Sequence, residues 1–206
     1  MWRTVIFLIF TLIIVPILTF NFDVPLTELQ QSTLKTLLCV YGIAAGLCFI
    51  VSSATKNYSQ VDKLWSIIPI PYVWIIAYNT DFEPRITLMA FLVSIWAVRL
   101  TYNFARRGGY SWKIWTGEED YRWSILRAKP EFQSQWKWSA FNLFFISAYQ
   151  MALILFFTLP TLKAMESNIP IGILDYILAA IFVALVIMEY IADNQQYYYQ
   201  EEKYRQ

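Results

Sequence analysis

The chain has 206 residues, of which 58% are apolar and 15% charged, with nine Trp, 14 Tyr and 15 Phe and a mean hydropathy of +0.43. Soluble domains carry about 25% charged residues, and a soluble chain of this length could not hide so much apolar surface, so the composition predicts an integral membrane protein. A net charge of +1 without a long basic run leaves no footprint for nucleic acid. The absence of histidine removes the commonest transition-metal ligand and the usual general base near neutral pH, and no metal site is expected.

Six apolar runs follow along the chain, at residues 4–20, 35–55, 64–78, 86–104, 138–159 and 171–192. All but the third reach the roughly 17–25 residues that a spanning helix needs. The third is shorter and holds Pro69 and Pro71, which break the hydrogen-bond ladder and predict a kinked or re-entrant segment. The first lacks small residues at Thr19-Phe20-Asn21, so a retained helix is expected in place of a cleaved signal. Cys39 and Cys48 share one run and, on a helix, stand about 13 Å apart, too far for a bridge.

Charge sets the orientation. With six spans and a cytosolic N-terminus, twelve Lys and Arg fall on the cytosolic side and three (Lys35, Arg85, Lys163) on the other, while Arg99 lies inside the fourth run. The positive-inside rule favours that arrangement. The expected fold is therefore all-α: a single polytopic transmembrane helical bundle of about six spans, residues 1–206, with both termini cytosolic. Asn57-Tyr58-Ser59, formally a glycosylation sequon, would then lie unused in the cytosol. The polar stretch 105–137 mixes Trp, Tyr and Phe with Lys and Arg, the composition of a helix lying in the headgroup region.

Polar residues inside the runs are the candidates for chemistry. Gly42-Ile43-Ala44-Ala45-Gly46 is a GxxxG pattern and reads as a helix-packing device. Arg99, Asn103 and Arg106 share one face of the fourth run, and Glu189, Asp193 and Gln196 repeat the same i, i+4, i+7 spacing at the end of the sixth. Two readings stand open. The stripes pair as a structural bridge, or they border a polar cavity in which Arg99, Arg106 and Arg107 bind phosphate-like groups. Asp120 and Arg122 lie between the stripes, Asn142, Tyr149 and Gln150 are polar points of the fifth run, and Asp62 and Trp65 mark the start of the third. No GxGxxG, Walker or HExxH motif occurs.

Several of these segments together resemble the DUF1295 branch of the steroid 5-alpha-reductase-like membrane proteins. They are Gln60-Val61-Asp62-Lys63-Leu64-Trp65-Ser66, the stretch from Arg99 to Gly109, Glu119-Asp120-Tyr121-Arg122-Trp123, Asn142 through Gln150, and Asp193-Asn194-Gln195-Gln196 running on to Arg205. The resemblance implies a membrane oxidoreductase in which NADPH reduces an activated C=C bond of a sterol-like or long-chain lipid, and it suggests the endoplasmic reticulum membrane. On that resemblance Arg99, Asn103, Arg106, Arg107, Asp120, Arg122, Asn142, Gln150, Glu189, Asp193 and Gln196 would hold the cofactor. Tyr102 and Tyr149 are the candidate proton donors. In the family the chain continues into an Arg-His-Pro-Asn-Tyr-like segment and further helices that complete the cofactor site, so these 206 residues alone are expected to bind NADPH poorly. The alternatives are an isoprenylcysteine-type methyltransferase using S-adenosylmethionine, and a non-catalytic membrane component.

Overall fold

The computed structural model describes residues 6–7, 9–22, 24–111, 113, 119–167 and 169–205. Every regular element among them is helical. After a π-helical turn at Phe10–Ile14 come α1 (Val15–Phe22), α2 (Glu28–Thr55), α3 (Gln60–Leu64), α4 (Pro69–Asn79), α5 (Pro84–Arg106) and α6 (Tyr121–Arg127). A 3-10 turn at Pro130–Phe132 leads to α7 (Gln135–Phe141), a π-helical stretch at Asn142–Tyr149, α8 (Gln150–Ala164) and α9 (Ile173–Arg205).

Four helical stretches are long and apolar enough to cross a bilayer: Glu28–Thr55, Pro84–Arg106, Gln135–Ala164 and Ile173–Lys203. Each outruns the apolar run that predicted it. α2 starts seven residues early because Thr27 and Gln30 form a capping box, with Gln30 N donating to Thr27 Oγ1 at 3.1 Å and Thr27 N to Gln30 Oε1 at 3.2 Å. α5 starts at Pro84, capped by Glu83, whose carboxylate accepts from Ile86 N at 2.9 Å. α9 continues well past residue 192 into a polar, tyrosine-rich extension.

The third run, expected to be kinked or re-entrant, is indeed no single long helix. It starts at the last residue of α3, passes through a turn at 65–68 and becomes helical again in α4, since Pro69 and Pro71 have no N–H to carry the ladder across. Neither piece is long enough alone, yet together they run the length of α2. Asn79 at the end of α4 donates to Thr33, near the start of α2, at 3.0 Å. The stretch 105–137 likewise is no single surface helix: Asp120 starts α6 afresh and Pro130 ends its continuation. Trp112, Trp115 and Gly117 lie outside the described residues, as does the start of the first run.

The core sits where α2, α4 and α8 meet, with Leu37, Tyr72, Ile76, Met151 and Ile154 fully buried. The GxxxG expectation fails in this packing. α2 turns Ala44, Ala45 and Cys48 inward, and a Cβ added at Gly42 or Gly46 would meet no atom within 4 Å. Cys48 is buried and Cys39 exposed, and both are free. The sequon is packed away, with Asn57, Tyr58 and Ser59 all buried.

α9 is attached differently. Its wall against α5 is fastened by ions at both ends: Arg85 Nε donates to Asp175 at 2.9 Å near one end, and Arg99 reaches Glu189 and Asp193 near the other. Because Gly42 and Gly46 occupy open helix surface, Gly42→Ala and Gly46→Ala should each leave stability unchanged or raise it by about 0.5–1 kcal/mol. Thermal unfolding in detergent reads this directly, and a clear loss of stability in either variant would show a neighbouring helix at that face.

Candidate functional site

At the α5 C-terminal end of the bundle lies a hollow of about 1210 Å³. Five separate parts of the chain contribute to it: Asp62 from α3, Arg107 just past α5, Asp120 before α6, Gln150 at the start of α8, and Gln196 on the α9 extension. These are the five segments that carried the family resemblance, now facing one space.

The hollow is held open by short polar links. Asp120 N donates to Ser59 Oγ at 2.9 Å and Tyr58 N to Glu119 Oε1 at 2.7 Å, which docks the 119–120 strand of chain on the entrance to α3. Trp65 Nε1 donates to Gln150 Oε1 at 3.0 Å, and Thr101 Oγ1 to Ser66 Oγ at 2.7 Å. At Gly109 the backbone passes under the Phe104 ring so closely that a Cβ there would lie 2.3 Å from it. Any side chain there would force the Phe104 ring to move.

Arg122 closes on Asp120 through contacts of 2.5–2.9 Å, and that guanidinium holds the Asp120 carboxyl below the usual carboxylate range. Asp62 behaves oppositely. Burial pushes its carboxyl above the usual range, with the side chains of Ser59 and Trp123 opposing and the Asp120 charge adding to the rise. Its Oδ2 is buried and has no hydrogen-bond partner among the described residues. In its protonated form this carboxyl is a hydrogen-bond donor facing a polar hollow.

The predicted residues divide among three places. Arg107, Asp120, Arg122, Gln150 and Gln196 line the hollow. Arg99 does not: its Nη2 donates to Glu189 at 2.6 Å and its Nη1 to Asp193 at 2.5 Å, so the two stripes meet as an ion bridge on the far side of α5. Arg106 belongs to the same seam, donating to Asn103 Oδ1 at 2.8 and 3.0 Å and to Asn194, with its guanidinium over the Tyr197 and Tyr102 rings. The stripe thus ends on Asn194, and Gln196 turns to the hollow. Asn142 is buried against α2, bonded to Ser52 at 2.9 Å and Ser53 at 3.2 Å. Of the tyrosines, Tyr102 lies exposed beside Tyr190, and Tyr149 stacks on Phe145 with ring centroids 5.4 Å apart. Neither lines the hollow.

Sequence reasoning passed over Tyr197, Gln200 and Glu201, which form the α9 wall with Gln196. The signal was present as a helical period continuing beyond the last apolar residue.

The sequence matches the family described as "Protein of unknown function (DUF1295)" over residues 48–206. This chain belongs to the DUF1295 family. It is also similar to the uncharacterized protein C594.04c of Schizosaccharomyces pombe (strain 972 / ATCC 24843), with 36% identity over 160 residues that cover 74% of this chain and 44% of the relative. The matched part is thus less than half the length of that relative. No solved structure matches.

The raised position of Asp62 fixes the sign of a pH effect. Its protonated form is favoured by folding, so its contribution to stability is full below the ordinary carboxylate range and is lost as pH rises through the raised value. Over that window the melting temperature of the wild type should fall relative to Asp62→Asn, which carries no charge. Parallel pH profiles of the two proteins would contradict the raised carboxyl.

Proposed function

We propose that this DUF1295 chain forms the ligand hollow of a membrane-embedded reductase, in which a C=C bond of a sterol-like or long-chain lipid is reduced with NADPH. The observation that carries the reading is the convergence of the five family-like segments on one polar space at the membrane end. The chain is read as six spans with both ends in the cytosol, on the strength of the twelve-to-three distribution of Lys and Arg. Residues 64–78 then make the third crossing, with Asp62 outside it at the cytosolic end.

The side chains present suit a dinucleotide. Arg107 is exposed on the hollow and has no carboxylate partner among the described residues, as a phosphate site needs. Three of the carboxylates that share the space are answered within the chain, Asp120 by Arg122, Glu119 by the Tyr58 N–H and Glu201 by Arg205 at 3.9 Å, while burial disfavours the charge on Asp62. Gln196 and Gln200 offer amides to ribose and carboxamide groups. NADPH, when bound, supplies hydride to the beta carbon of the activated double bond. The chain's part is to hold the conjugated carbonyl, and Asp62 is placed to do so. In its protonated form that carboxyl donates to the carbonyl oxygen, favours the developing enolate and can pass its proton. That role falls to Asp62 in place of Tyr102 and Tyr149, which point elsewhere.

Titration of NADPH into the purified full-length protein tests the cofactor. Saturable binding is expected, weakened about ten-fold or more by Arg107→Ala. Saturable binding of S-adenosylmethionine in its place would carry the methyltransferase reading instead. Asp62→Asn separates chemistry from binding, since it should lower turnover by about 10²–10³ with NADPH affinity unchanged. Full turnover in that variant would remove Asp62 from the reaction.

A further inference from the structure

α5 presents two different faces at its C-terminal half. Leu100, Phe104 and Arg107 look into the hollow. Arg99 and Tyr102, one step round the helix, border a separate recess of about 560 Å³ between α5 and α9. Its walls are apolar and lie on the outside of the bundle: Phe91, Ile95 and Val98 of α5 and Tyr190 of α9 are all exposed. From Phe91 to Tyr102 the recess follows α5 for about 16 Å at ~1.5 Å per residue, which is the depth of one leaflet of a ~30 Å hydrocarbon core.

A polar group waits at its end. The Arg99 side chain is 12% exposed, and both terminal nitrogens are engaged by Glu189 and Asp193. Its Nε is buried with no acceptor among the described residues. The hydroxyl of Ser94, also in the wall, is already engaged: it donates to Ala90 O at 2.7 Å and accepts from Trp74 Nε1 at 3.0 Å. Glu189 and Asp193 already answer the guanidinium's charge, so an anionic headgroup or a free fatty-acid carboxylate gains nothing there. What fits is a neutral acceptor oxygen on a long apolar tail, because an unmet buried N–H is costly and a bilayer offers no water to satisfy it.

We propose that the recess is a lipid site, distinct from the hollow, which takes one acyl tail of a bilayer glycerolipid with the ester carbonyl accepting from Arg99 Nε. Such a lipid lies across the α5–α9 seam and braces it from the membrane side. The site uses neither NADPH nor Asp62, so it stands or falls apart from the reductase reading.

The test is photolabelling of the full-length protein in phosphatidylcholine nanodiscs with a diester phosphatidylcholine that carries a mid-chain diazirine, followed by peptide mapping. Labelling should concentrate on residues 91–102 and 190. It should drop to the level of the remaining lipid-facing surface in Ile95→Trp and Val98→Trp, which fill the recess without touching the ion bridge. Unlabelled diester phosphatidylcholine should compete about ten-fold better than its diether analogue, which lacks the carbonyl. Labelling spread evenly over the lipid-facing helices, persistence in both tryptophan variants, or equal competition by the diether lipid would each overturn the proposal.

Discussion

One guanidinium in an apolar helix governs the architecture. An arginine within a spanning segment costs about 2.5–3.5 kcal/mol on the insertion scale unless it finds a partner. Arg99 finds two, Glu189 and Asp193, on the helix that most needs fastening. Only 6% of the apolar window of α9 is buried inside the chain, so dispersion and close packing do little to hold it. Polar contacts therefore fix it to α5: Arg85 with Asp175 at one end, Arg99 in the middle, and Arg106 with Asn194 beyond. Exposed in water, each would contribute little. At the edge of a membrane the alternative to pairing is a buried unpaired charge, and the seam gains its strength from that penalty.

The hollow depends on this seam. Its α9 wall is the stretch after Asp193, which has no apolar face of its own to anchor it and projects from the point where Arg99 grips. The opposite wall is built by ordinary means. α2, α4 and α8 bury a continuous core, and Asn142 ties the start of the π-helical stretch to Ser52 and Ser53 of α2. That stretch ends one residue before Gln150, which meets Trp65 across the hollow. π-helical turns recur at functional sites because they re-aim side chains within a continuous helix. Here one runs between a residue facing the core and a residue facing the site.

The sequence carried the helices in its apolar runs and the α5–α9 bridge in its charge spacing, because both follow from periodicity and from the cost of charge in hydrocarbon. It misplaced what depends on rotation about a helix axis. Gly42 and Gly46 look like a packing face, yet the helix turns Ala44, Ala45 and Cys48 inward, a choice made by the partners and not by the motif. Arg106 and Arg107 are neighbours in sequence with opposite destinations, one in the seam and one on the hollow. Asp62 could be placed only at the start of the third run, since nothing local shows that the chain around Ser59 and Glu119 will fold over it. Pro69 and Pro71 did announce the break in the third run, while the contact of Asn79 with Thr33 that carries that run along α2 is a long-range fact.

The division of charge on α5 also sets the electrical condition of the hollow. By committing Arg99 and Arg106 to α9, the fold leaves the hollow with Arg107, Arg122 and Arg205 against Asp62, Glu119, Asp120 and Glu201. With Asp62 protonated the lining is balanced, and with Asp62 ionised it is negative by one. Burial raises the Asp62 carboxyl above the usual carboxylate range, which shifts the lining toward its balanced state. An anionic ligand and the Asp62 proton must therefore favour each other, by the reciprocity that binds any two coupled equilibria. A phosphate-bearing cofactor would hold in place the very proton that the proposed chemistry needs, and the burial of one aspartate beside a paired Asp120–Arg122 clasp is sufficient to produce that coupling.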